Sequence, residues 1–492
     1  MTGSPAGRSA PSLRLVLSLV SHTNVGKTTL ARTLLRRDVG EVFDQAHVTD
    51  QTETFVLLER DDGAQVLLAD TPGFGDSARL LRRLRGMDNP LGWLLAQVWD
   101  RFAARALFCS QQAVRHVRDE SDAVLYLVNA SEDPDAAGYV AAELEILDWT
   151  GRPTILLLNQ TGAPADASSR AADEARWRAH AATHSCVREV LSLDAFTRCW
   201  VQEGALLEHI RDALPLERRE LAEALLDRWR ELNLAVLDRS VEAMADLLAR
   251  AAADGEPVGA GRLGRAERRR ATEALASRLE ELVAATNDQL IGLHGLTGEA
   301  AEELRVGLED VSAPGDGPPP WRRGVLGGIV GGALGGLAAD LATGGLSFGG
   351  GAVAGAILGA AGLGGLAWGF EWLGSGQTPR IAWSPEFLER LWVDTSLRYL
   401  AVAHSGRGAG AFRAREPAAA WRDAVRRALA PQREALRAAV RRARSEPGAE
   451  AARQAGSDLR DSLGAAVRSL LAGLYPESAP LLAARSGAAR ST

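Results

Sequence analysis

The sequence predicts an α/β fold with a mostly parallel sheet over residues 12–205, followed by an all-helical region that contains a glycine-rich apolar helical hairpin. Three observations carry this reading. Apolar runs of strand length alternate with helix-periodic stretches up to about residue 205, the pattern of a sheet covered on both faces. From residue 217 the apolar spacing becomes heptad-like among charges. Residues 324–370 then carry no charge except Asp340 and repeat glycine every four positions.

Taken in order, residues 1–11 read as a disordered tail with one arginine and no apolar run of signal-peptide length. Leu13–Val20 is a buried strand that runs directly into the loop SHTNVGKTT, and helix periodicity begins at Thr28. Thr52–Glu59, Ala64–Asp70, Asp122–Ala130 and Pro153–Gln160 supply further strands. In such sheets ligands gather at strand C-termini, where Asp70 and Asn159 stand.

Between residues 76 and 120 an insertion reads as one or two amphipathic helices, placed either to report on the preceding loop or as plain decoration. Residues 206–310 predict long packed helices at 217–252 and 265–293, with a coiled-coil homodimer or a helical protein partner open to them. VSAPGDGPPP breaks the pattern, giving a linker at 311–323.

The hairpin at 324–372 shows small-residue faces of the kind that pair helices in membranes. Inner-membrane contact and a buried soluble hairpin both remain open, with Asp340 costly in lipid. Residues 373–477 return to amphipathic helix, and 478–492 read as a flexible tail.

Composition limits the function. With 56 basic and 63 acidic residues the formal charge is −7, so there is no global positive field and no nucleic-acid partner is expected. Cys109, Cys186 and Cys199 lack metal-ligand spacing and argue for a reducing compartment. Alanine and arginine abundance suggests a GC-rich bacterial source, so the bacterial cytoplasm is expected, with membrane association through 324–370 left open.

The loop from Ser21 to Thr28 has the spacing of a phosphate loop whose first glycine is Ser21, which makes the first domain a P-loop NTPase. That replacement is costly only if the position needs a positive φ. The backbone of Asn24, Val25, Gly26, Lys27, Thr28 and Thr29 is suited to cradle phosphates. The Lys27 ammonium reaches the outer ones, and the Thr28 hydroxyl holds magnesium. Asp70-Thr71-Pro72-Gly73 ends a strand, so Asp70 can hold Mg2+ through water while the Gly73 amide senses a γ-phosphate.

GKT followed by DTPG, with TNVGKTTL, resembles the GTPases of the TrmE–Era–EngA kind. That resemblance implies a G domain binding GTP or GDP with Mg2+, a potassium ion at Asn24, and Thr49 covering the magnesium, with Thr52 second. Over roughly residues 12–470 the chain also resembles bacterial GTPases that carry the domain of unknown function 3482. The segments matched are HTNVGKT, DTPG, LDAFTRCWVQE at 193–203 and ADLATGGLSFGGG at 339–351.

Two departures matter. The NKxD segment that selects guanine is replaced by Asn159-Gln160-Thr161-Gly162, which lacks the carboxylate. Asn159 can still tie base loop to phosphate loop, Gln160 keeps part of the stacking role, and Asp166 lies four residues beyond. Leu191–Asp194 is read as the last base-side loop, which puts Leu193 at the nucleotide. Where many switch GTPases carry a water-orienting glutamine, this chain has Phe74, so intrinsic turnover of GTP and water to GDP and phosphate is expected to be slow. Asp76 either orients water or is an ordinary loop aspartate. A P-loop ATPase and a non-hydrolysing nucleotide-binding structural or membrane-docking protein stay open as alternatives.

Overall fold

The computed structural model describes residues 13–23, 25–36, 52–85, 87–96, 105–159, 167–193, 198–258, 265–296, parts of 301–308, 370–373, 379–405, 417–445 and 449–483. The chain divides into two compact units, the first running to Asn233 and the second taking up at Leu234.

The first unit is built on six strands: β1 (Arg14–Ser21), β2 (Glu53–Glu59), β3 (Gln65–Asp70), β4 (Ala123–Asn129), β5 (Thr154–Asn159) and β6 (Val187–Ser192). Their order is β2-β3-β1-β4-β5-β6, parallel throughout except for β2, which runs antiparallel on β3. The central strands are apolar along their length because helices cover both faces: every residue of β5, and all but the last of β4, is buried. The strand ends then lie close together, and the C-terminal ends of β1, β3 and β5 carry the loops of interest.

The helices of this unit are α1 (Lys27–Leu35), α2 (Ser77–Leu84), α3 (Pro90–Ala96), α4 (Arg105–Glu120), α5 (Gly138–Asp148), α6 (Ala167–Ala181) and α7 (Trp200–Ala213). Among the described residues the insertion holds three helical segments, α2, α3 and α4. Asn89 starts a fresh helix by accepting the Gly92 amide at 2.8 Å, with Pro90 in the first turn, where its missing N–H costs nothing. Leu80, Leu84, Leu94, Val114 and Val117 join one core with Val124, Tyr126 and Val128, so the insertion is part of the domain. Two corrections apply. Leu191 and Ser192 belong to strand β6 rather than to a loop. The boundary expected at 205/206 falls inside α7, whose Leu206 and Ile210 are buried.

The second unit contains α8 (Leu216–Ala253), which begins in the first, then α9 (Arg265–Leu293), α10 (Pro385–Ala403), α11 (Pro417–Leu429), α12 (Arg433–Ser445), α13 (Ala449–Leu474) and α14 (Ala479–Leu482). The long helices fall where the heptad-like spacing placed them. The region is not all-helical, however. Strands β7 (Gly255–Pro257), β8 (Phe370–Leu373) and β9 (Arg380–Trp383) form an antiparallel sheet in the order β7-β9-β8. At three or four residues each, these strands are too short to show an alternating pattern.

Phe370–Leu373 being strand also removes the last residues of 324–372 from any helical hairpin. The rest of that hairpin, the 311–323 linker and the 1–11 tail lie outside the described residues. Among the described residues no helix is long and apolar enough to cross a membrane. Nor is the tail loose from 478: Ser478, Leu481 and Leu482 are buried.

Candidate nucleotide site

The phosphate loop leaves the end of β1. Ser21 is a buried strand residue paired with Leu127, and Arg36 alone among the described non-glycine residues has a positive φ. The glycine-to-serine replacement therefore carries no backbone strain, and the Ser21 hydroxyl donates to the His22 carbonyl at 2.6 Å. Gly26 caps α1 with φ 93°, a conformation that favours glycine, and no side chain caps the helix. Its first-turn N–H groups are thus left for an anion.

Lys27 and Asp70 are both buried, with the ammonium 3.4 Å from Asp70 Oδ1. Thr28 Oγ1 donates to Asp70 Oδ2 at 2.7 Å, while Asp70 Oδ1 accepts no hydrogen bond. Among the described residues Asp70 Oδ1 faces only the Lys27 charge, and a hydroxyl beside a carboxylate is a hard-oxygen donor set. Thr28 and Asp70 thus fit a hydrated Mg2+.

The DTPG loop is laid alongside the phosphate loop. Thr71 Oγ1 donates to the Leu19 carbonyl at 2.6 Å, the Phe74 amide donates to the Ser21 carbonyl at 2.9 Å, and His22 and Phe74 form a parallel bridge. A Cβ on Gly73 would stand 3.2 Å from Thr23 Cγ2 and 3.3 Å from Thr23 Cα, so glycine allows this approach. Helix α4 packs against Gly75, whose amide donates to Ser110 Oγ at 3.2 Å.

On the base side Asn159 is fully buried and donates from Nδ2 to the Val25 carbonyl at 2.8 Å, tying the two loops together as its position in the sequence suggested. Val25 and Thr29 are buried in support of the loop. Leu193 needs correction: its side chain is in the core and its amide donates to the Leu158 carbonyl at 3.1 Å, so it fixes the strand end from within. Phe74 is wholly buried. Asp76 is exposed and caps α2, accepting the Arg79 amide at 3.2 Å. Thr52 immediately precedes β2, whereas Asn24, Thr49, Gln160, Thr161, Gly162, Asp166 and Asp194 lie outside the described residues.

One constellation was missed. Glu143, fully buried on α5, accepts His22 Nδ1 at 2.6 Å and Ser77 Oγ at 2.5 Å on one oxygen, and the Tyr126 hydroxyl at 2.8 Å on the other. Burial pulls the His22 pKa down, but the hydrogen bond and charge of Glu143, with the charge of Glu132, outweigh it and raise the pKa above its ordinary value. Burial, then the nearby Glu143 carboxylate, pushes the Tyr126 hydroxyl well up. The available signal was Glu143 itself, a carboxylate in register with Val140 and Leu147 on the apolar face of GYVAAELEILD.

Residues 181–469 match the family described as domain of unknown function DUF3482, which is more than half of the chain. Residues 16–160 match the 50S ribosome-binding GTPases. No match to the chain was found among curated proteins. Similar solved structures include an Aquifex aeolicus Era variant bound to GDP.AlF4-, at 20% identity over 41% of this chain and 57% of that one, with a TM-score of 0.30. Era in complex with MgGDPNP and a segment of 16S ribosomal RNA is similar at 18% identity over 41% and 57%, with a TM-score of 0.31. A probable GTP-binding protein, engB, is similar at 14% over 37% and 89%, with a TM-score of 0.24. The chain thus spans 57% of the length of the two Era chains.

Proposed function

This chain belongs to the DUF3482 family and its N-terminal unit is a GTP-binding G domain, and we propose that it works as a slow regulatory GTPase whose nucleotide state is passed to its helical C-terminal region. The observation that carries the proposal is the Lys27–Asp70–Thr28 cluster, with Lys27 and Asp70 buried, and Asn159 joining base loop to phosphate loop.

In this reading the first-turn amides of α1 and the Lys27 ammonium hold the phosphates, and Thr28 and Asp70 hold Mg2+. The metal supplies charge neutralisation on the phosphate oxygens. The Gly73 amide meets the γ-phosphate, Thr49 covers the metal, and Asn24 takes a potassium ion. With Phe74 buried, no side chain at that position orients water, so turnover is slow; Asp76 is the remaining nearby acid. Asn159 ties the base loop to the phosphate loop and Gln160 keeps part of the stacking role, without the carboxylate that usually selects guanine.

Because α4 rests on Gly75, the insertion is the first element to feel a movement of the sensor loop, which supports a regulatory output. A homodimer or a helical protein is the partner we favour, in the bacterial cytoplasm, with residues 324–369 meeting the inner membrane. One Era neighbour is seen with ribosomal RNA, whereas the charge of −7 here favours a partner other than nucleic acid.

The test is equilibrium binding of GDP, GDPNP and their adenine counterparts in potassium and in sodium buffer, with Lys27→Ala as control. Guanine-selective binding lost in the variant is expected; binding indifferent to Lys27 would sink the proposal. The second reading, a docking protein that binds without turnover, rests on the buried Phe74 and predicts no phosphate release in a single-turnover assay.

A further inference from the structure

We propose that Glu143 is a positioning residue that latches the start of α2 onto the phosphate loop and thereby sets the preference of the site for a triphosphate over a diphosphate. This rests on the GTPase reading above and names the device that regulates the same site.

Glu143 sits among Val140, Leu144 and Leu147 in the core with no solvent exposure. A carboxylate there costs stability unless donors satisfy it, and a well-packed apolar residue would serve the core at least as well. Its three donors come from different parts of the domain. Tyr126 stands on β4 in the middle of the sheet and holds one carboxylate oxygen in place. The other oxygen is shared by His22, which opens the phosphate loop, and Ser77, the first residue of α2 after the DTPG loop. One buried oxygen therefore joins the two segments that flank the γ-phosphate position.

The latched arrangement is the one a triphosphate needs. Gly73 lies against Thr23 of the phosphate loop, and the Phe74 amide is bonded to Ser21. If α2 withdraws, Ser77 must leave Glu143, and a hydrogen bond to a buried charge is broken. A diphosphate does not call on the sensor loop, so its affinity is indifferent to the latch. A purely structural Glu143 would instead lower both affinities together.

The experiment is a double-mutant cycle of Ser77→Ala and Glu143→Gln, reading the ratio of GDPNP to GDP affinity in the full chain with Mg2+. Each single variant is expected to lower the ratio about tenfold, the effect of losing one hydrogen bond to a charged group. The double variant should fall no further, since both changes open the same latch. Ser77→Ala removes one hydroxyl and keeps the test alive if Glu143→Gln does not fold. An unchanged ratio in Ser77→Ala, or equal weakening of both nucleotides, overturns the latch. Absence of guanine binding, or binding that Lys27→Ala leaves intact, overturns the GTPase reading and the latch with it, so the two failures are told apart.

Discussion

An added methyl at Gly75 would stand 2.4 Å from Ala106 Cβ and 2.7 Å from Ala106 Cα, so Gly75→Ala must push the start of α4 off the sensor loop. The affected neighbour is largely helix backbone, which yields less readily than a side-chain tip. Urea unfolding is expected to show a loss of about 1–3 kcal/mol, the usual cost of overpacking a closed site. A change under about 0.5 kcal/mol, the scale of an ordinary surface substitution, would show that α4 is not seated there. At this scale the sequence was readable wherever chemistry is local. Lys27, Thr28, Asp70 and Asn159 were each found from motif spacing, and the structure brings Lys27, Thr28 and Asp70 into contact and Asn159 onto the loop. Glu143 was not found, because its partners lie 121, 66 and 17 positions away in the chain and only the sheet topology gathers them.

Among the elements, α2 carries the question of what Asp76 does. Its carboxylate caps the helix from an exposed position, and Asp and Asn cap about equally well. Asp76→Ala is expected to cost about 1 kcal/mol of stability, and Asp76→Asn close to nothing. Single-turnover hydrolysis should therefore be unchanged in Asp76→Asn; a rate lost in that variant as fully as in Asp76→Ala would make the carboxylate itself the water-orienting group. The sequence marked five strands to within a residue or so at most of their ends: β1, β3, β4 and β5 are largely buried and read as apolar runs, while the mostly exposed edge strand β2 shows through its short apolar stretch at 55–58. It missed β6, whose half-buried positions and charged Arg188 and Glu189 interrupt the run. Within 373–477, read as amphipathic helix, it did not mark the single turn of 3-10 helix at Ala430–Gln432, with Pro431 in it, that divides α11 from α12.

For the whole molecule, each of the two units has buried residues of its own. Val124, Tyr126 and Leu156 belong to the core of the first, while Met244, Trp383, Leu400 and Leu471 are buried in the second. The proposed nucleotide site is built from residues of the first unit, so mass action makes a distinct prediction. A ligand at about a hundred times its Kd stabilises the folded form it binds by about 2.7 kcal/mol and does nothing for a core it does not touch. Scanning calorimetry of the full chain with saturating GDP and Mg2+ is expected to raise one transition and leave the other in place. Lys27→Ala should erase the shift, and omission of Mg2+ should reduce it, since the phosphates and the Thr28–Asp70 oxygens then lack the cation that would join them. A single transition that rises as a whole would mean that the units unfold together. Nucleotide state would then bear on the stability of the DUF3482 region directly, and the search for an output would move from the insertion at 76–120 to the C-terminal half.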